Sequence, residues 1–498
     1  MINLKEILET FTKENQQEFI LYLEKKNKRK DAKNIQLVRL LLSDNFSSTE
    51  ISQKLYGKQN KVALHALRKR LFKSLIDFTA NLSMKEENSI DIQLIKYILS
   101  ARNFLKKGQI KIGYQILDKT ENIANEHQLY TILNEIYHTK IEYAHLNKTL
   151  NFDNLISTFN DNQKQLIIED NINIACAKIR ISLAEYQQQK SKEDIKTLIE
   201  NVLKEQNIII SDSLSFKSLY QIIKITSISS AQKFDYWNIE KFLVNTYAII
   251  KHHTSKDKQL YYHIEVLYLI ANALFRSKKF TESKKYLALM YFYMNEKKQK
   301  YYSDFAPNYH LLLSLNYNYH NQQEKAIELL EPYITNKNVN LVSQLDILLS
   351  LIVYYYQNES LEKAKNLLAT FYHTDNWYID KAGIVWTIKK NLIEILLHID
   401  LGNIDLVDSR FVSFKRNYFK HLSAINQERV ISYLKLIEIY YKKPEIATTI
   451  EFYNRVEKSF NWINRNNEDI FLMSFYAWLK AKMTKQNIYF VTLNLINN

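Results

Sequence analysis

Leu267 to Met290 reads LYLIANALFRSKKFTESKKYLALM, and its spacing decides the fold. Leu267, Ile270, Ala271 and Leu274 recur at helical spacing on one face. A short turn at Ser277, Lys278 and Lys279 follows, and a second helix then presents Phe280, Ser283, Leu287 and Met290. Small residues at Ala271 and Ser283 let two antiparallel helices approach closely, while the large ones fill the groove between them. The stretch predicts a helical hairpin.

The layout recurs on the carboxy-terminal side. HLLLSLNYNYHNQQEKAIELLEPY places Leu313, Ser314 and Tyr317 before Ala326 and Leu330. LLSLIVYYYQNESLEKAKNLLATF places Leu348, Leu351 and Tyr355 before Leu361, Ala364 and Leu368. The small residue of the second helix stands at Ser283, Ala326 and Ala364, at intervals of 43 and 38 residues. Weaker copies fall at Val407 and Thr449, and an earlier one carries Ala101, Phe104, Gly108, Ile110 and Gly113. The segments 126–168, 172–204 and 214–252 read as generic helix pairs. An all-helical period near 40 predicts an α-solenoid, an all-α fold of stacked antiparallel helix pairs.

The order small residue, aromatic, turn, aromatic, small residue resembles the tetratricopeptide repeat family. Three pairs match it well and three loosely. The repeats run longer than the family's 34 residues, and its proline after the second helix is absent nearly everywhere. The resemblance implies a concave surface that binds a peptide or protein partner, and it implies no chemistry. It places Tyr268, Asn272 and Arg276, then Asn318 and Tyr319, then Tyr356 and Gln357 on that surface, exposed, with Asn272 and Arg276 able to hold a peptide backbone or carboxylate.

Composition agrees with helices joined by short polar turns. The chain has 498 residues with Gly 5 and Pro 3, against usual shares of about 7% and 5%. Hairpin turns and phosphate-cradling loops need glycine. The single Cys176 excludes an intramolecular disulfide and a cysteine-based zinc site. Its setting, INIACAKIRISLAEY, reads as a packed small residue. The early charges of MINLKEILETF do not suit a secretory leader, and the longest apolar run, Ile347 to Tyr356, is too short for a membrane span. These features point to a cytoplasmic protein with no membrane span.

Net charge is +15. Residues 1–84 hold 16 Lys and Arg against 9 Asp and Glu, so nearly half the excess sits in a sixth of the chain. That division sets the expected organisation, a basic helical segment over 1–84 and a solenoid over 85–498. Within the first, Ser47 to Glu50 is a capping-box signal, and Gly57 stands where a left-handed cap would close a short helix. A long helix follows from Lys61, with Leu64, Leu67, Leu71, Leu75, Phe78 and Leu82 on its apolar face. Lys61, His65, Arg68, Lys69 and Lys73 lie opposite. Short helix, tight turn and long basic helix resemble the helix-turn-helix of DNA-binding proteins. The same face equally suits a solvated cap on the solenoid. The run Lys25 to Lys30 adds charge of the kind common at solvated helix ends.

No glycine-rich phosphate loop, G-x-S-x-G elbow or H-E-x-x-H motif is present. His252 and His253 are adjacent and point to different sides of a helix. The expected class is therefore not an enzyme, with no cofactor and no metal. It is a scaffold or adaptor binding a protein partner. The alternative is a DNA-binding regulator with a helical-repeat sensor.

Overall fold

A computed structural model describes residues 4–11, 13–26, 32–43, 46–86, 90–186, 195–233, 236, 239–253, 255–336, 339–424, 427–459 and 470–497. Among them every regular element is a helix, and no helix is long and apolar enough to cross a membrane. Residues 27–30 of the basic run and the side chain of Leu82 lie outside the described residues.

The chain divides into two compact units. The first comprises residues 1–124 and 131–156, the second 125–130 and 157–498. The boundary expected at residue 84 falls inside the first unit.

The first unit begins with α1 (Leu4–Glu9), α2 (Lys13–Lys26), α3 (Lys33–Ser43), α4 (Ser48–Tyr56) and α5 (Lys61–Glu86). Leu8, Phe19, Leu23, Ile35 and Leu37 join Leu64, Leu67, Leu71, Leu75 and Phe78 in one core. The cap signal at α4 is made as expected. Ser47 Oγ accepts from Glu50 N at 3.3 Å, and the Glu50 carboxylate accepts from Ser47 N at 2.7 Å. Gly57 closes α4 with φ 71°. Then come α6 (Ile90–Lys106), α7 (Ile110–Glu126) and α8 (Tyr130–Glu142). A Cβ on Gly113 would stand 2.5 Å from Leu105 Cγ, so α6 and α7 meet at a point only glycine permits.

The second unit takes up α9 (Phe152–Tyr186) from residue 157 and runs through α10 (Ile195–Glu205), α11 (Phe216–Lys233) and α12 (Glu240–Ile250). α9 is one continuous helix. It carries straight through residues 168–172, where two separate helix pairs were expected, and takes Asp170 and Asn171 into the helix. The regular pairs are α13 (Leu260–Arg276) with α14 (Phe280–Met294), α16 (Tyr302–Tyr319) with α17 (Gln323–Leu330), and α18 (Leu341–Gln357) with α19 (Leu361–Leu368). The short α15 (Glu296–Gln299) links the first two pairs. Next are α20 (Asp375–Ala382), the pair α21 (Ile384–Asp400) and α22 (Ile404–Ala424), α23 (Glu428–Lys442) and α24 (Ile450–Ser459). A last hairpin is formed by α25 (Ile470–Thr484) and α26 (Ile488–Asn497). Consecutive pairs pack against one another through one core that extends from Ile172 to Ile496.

The turn between paired helices is a repeated device. Lys278, Asn321, Glu359, Gly402 and Lys485 all adopt positive φ, between 53° and 72°. Each is followed by an N–H that reaches back five residues, such as Lys279 N to Leu274 O and Ser360 N to Tyr355 O, both 2.9 Å. This is the left-handed helix cap that satisfies orphan carbonyls. Three residues into each second helix stands a fully buried residue: Ser283, Ala326, Ala364 and Val407. Ser283 Oγ donates to Ala271 O at 2.8 Å, tying the two small residues together. The copy expected at Thr449 fails. Thr449 is exposed and caps α24 by accepting from Phe452 N, while Ala447 takes the buried place.

Candidate functional site

The first helices α13, α16, α18 and α21 are neighbours in the stack. Their last turns carry Arg276, Tyr319, Tyr356 with Gln357, and Asp400, each just before the left-handed turn residue. α25 lies across these turns and meets every one of them.

At its start, the Phe471 ring sits between two cations. Arg276 Cζ is 4.6 Å and Lys389 Nζ 5.1 Å from its centroid. Tyr319 and Ser474 share a hydroxyl hydrogen bond of 2.9 Å. Trp478 is fully buried and donates from Nε1 to Asp400 Oδ2 at 3.1 Å. Tyr356 donates its phenol to the same oxygen, and Lys482 Nζ lies 2.6 Å from the other oxygen of Asp400. From α23, Tyr433 donates to the carbonyl of Phe475 at 2.7 Å. α26 adds a bond from the Tyr489 hydroxyl to Asn318 O at 2.7 Å.

Burial and the Asp400 carboxylate hold the Tyr356 phenol well above its ordinary pKa. Further along the face, burial and Asp346 push the Tyr268 phenol up to about 12. Burial also raises the Asp346 carboxyl to about 6, against the pull of Lys389. Towards this face α25 thus presents aromatic side chains and a polar edge.

The exposure expected of the groove residues is corrected. Asn318, Tyr319, Tyr356 and Gln357 are buried, and Tyr268, Asn272 and Arg276 are half-buried. Asn318 Nδ2 donates to Gln357 Oε1 at 3.1 Å, so these two join adjacent first helices instead of facing solvent. Tyr319 and Tyr356 are covered by Ser474 and Trp478 of α25. The residues that sequence reasoning missed are Lys389, Asp400 and the α25 set Phe471, Ser474, Trp478 and Lys482.

On α5 in the first unit, Lys61, His65, Lys69 and Lys73 are exposed. Arg68 is half-buried and donates from Nη2 to Ser48 Oγ at 3.1 Å, a tie to the start of α4. Cys176 is buried, and that burial raises its thiol pKa although Arg180 opposes it. His253 bonds the carbonyl of Leu214 through Nε2 at 3.2 Å. Among the described residues no group of three or more His, Cys, Asp or Glu is placed to hold a metal ion.

No family model matches the chain, and no curated protein matches it. Among solved structures, that of NprR in complex with its cognate peptide NprX is similar, with a TM-score of 0.41 and 14% identity, covering 77% of this chain and 97% of that one.

Proposed function

We propose that this protein is a non-catalytic, cytoplasmic scaffold or adaptor that holds a helical segment of a partner protein on the inner face of its first helices. One observation carries the reading: a helix 194 residues beyond α13, α25, is seated on that face through specific polar bonds and not by apolar packing alone. A surface that selects a Trp, a Ser and a Lys at successive turns of one helix is built to read helices. Its cation-lined end, with Arg276 and Lys389 about Phe471, is the anchor type that dominates binding energies.

Two substitutions test this in opposite directions. Phe471→Ala loosens the internal occupant and raises partner capture, whereas Arg276→Ala removes part of the receptor and lowers it. Affinity purification from the native cell, read by mass spectrometry beside circular-dichroism melts, measures both. If the two variants change capture in the same direction, or neither changes it while both stay folded, the reading fails.

A second reading, a DNA-binding regulator, is favoured by the exposed cationic face of α5 after the capped α4. Duplex-DNA anisotropy decides it. Binding should fall with salt at a slope of about 0.9 per phosphate contact, and Lys61→Glu, Lys69→Glu and Lys73→Glu together should abolish it. Failure of the native chain to bind at low salt rejects it.

A further inference from the structure

A cavity of about 660 Å³ lies among the loop before α20, α20 itself, α21 and α22. Its polar wall is made by Asp375, Lys390, Glu394, Arg410 and Tyr418, and its apolar wall by Leu368, Phe371, Ile379 and Ile384. Lys390, Glu394 and Tyr418 are at most 7% exposed, although the first two carry ionisable side chains. Buried ion networks stabilise a fold no better than well-packed apolar residues do. Here Lys390 and Glu394 are buried while Asp375 and Arg410 open onto a pocket of ligand size, so the network presents charge to it.

The bonding within the network shows what it lacks. Asp375 Oδ2 accepts from Tyr418 OH at 2.7 Å and from Asn391 Nδ2 at 3.0 Å, and its Oδ1 lies 3.5 Å from Lys390 Nζ. Glu394 accepts from Arg410 Nε at 2.8 Å and from Lys390 Nζ at 3.2 Å. Both carboxylates are thus well supplied with donors. The Arg410 guanidinium uses only Nε, and its side chain is 43% exposed at the cavity. The unused capacity is a planar pair of terminal N–H groups, the geometry that grips a carboxylate bidentately.

We infer that this cavity is a binding site for a carboxylate joined to an apolar body, the carboxylate on the terminal nitrogens of Arg410 and the body against Phe371 and Ile384. Either a free apolar acid or the last residue of a peptide supplies that chemistry. Lys390 and Glu394 lie about 80–140° around α21 from Lys389 and Asp400. The site is therefore distinct from the inner face, and its success or failure is independent of the partner-binding reading.

Calorimetric titration of the full chain with N-acetyl-leucine and with its neutral amide tests the inference. The acid should bind saturably and the amide about tenfold more weakly or worse, the loss expected for a charge-assisted pair. Arg410→Lys keeps a cation beside Glu394 but removes the fork, and it should weaken the acid about tenfold with an unchanged melt. 4-Methylpentanoate and N-acetyl-glycyl-leucine distinguish the sources. Equal binding of the two assigns a free acid, and preference for the dipeptide assigns a chain end. Equal binding of acid and amide, no binding of either, or full binding by Arg410→Lys overturns the proposal.

Discussion

Lys278 and Glu359 occupy the left-handed turn position with φ 62° and 59°, a conformation that costs a residue with a Cβ about 1–2 kcal/mol. Glycine avoids that cost but loses more chain entropy on folding. Lys278→Gly and Glu359→Gly should each therefore stabilise the protein by about 0.5–1 kcal/mol, read as a shift in the urea midpoint. No gain at either would mean the turns are not held left-handed. Ala326 is fully buried in the pair α16 and α17, so Ala326→Phe should cost about 1–3 kcal/mol in the same assay. Ala326 was legible because a small residue three places into the second helix repeats along the chain. His263 was not. It is fully buried, with its ring 3.2 Å from the Tyr247 hydroxyl, and burial lowers its pKa to about 3. A depressed histidine contributes stability that is complete above its ordinary value of 6.5 and is lost as pH falls towards 3. Replacing it with Gln should flatten the stability profile across that window, and an unchanged acid limb would contradict the assignment.

At the scale of elements, helix pairs and caps were readable because each depends on residues close in sequence. Ser47 with Glu50 and Gly57 set the ends of α4, and the pairs from α13 to α19 follow their apolar spacing. What α25 does was not readable. Its sequence, IFLMSFYAWLKAKMT, is apolar around most of its circumference, which marks a helix buried on several sides. Nothing local tells which distant helices bury it, since Trp478 meets Tyr356 across 122 residues. The same covering explains why Tyr319 and Tyr356 are buried and not exposed. Trp478→Ala should cost about 3–5 kcal/mol, the usual loss for a fully buried aromatic, and a much smaller cost would mean that α25 is only loosely seated.

For the molecule as a whole, the all-α class followed from eight glycines and prolines in 498 residues and from a helical period near 40. A net charge of +15 favours anionic partners in general but places none, because charge counts carry no geometry. The central claim is that the inner face accepts a helix as a ligand, with α25 and α26 as its resident occupant. It is tested most directly by introducing a protease site into residues 460–469 of the full chain, cutting it, and adding a fluorescent synthetic peptide of residues 470–498. The labelled peptide should replace the cut segment and raise anisotropy to a saturable limit, while the Trp478→Ala peptide should not. Failure of the native peptide to exchange, with the cut protein still folded, or equal exchange by both peptides, would contradict the claim.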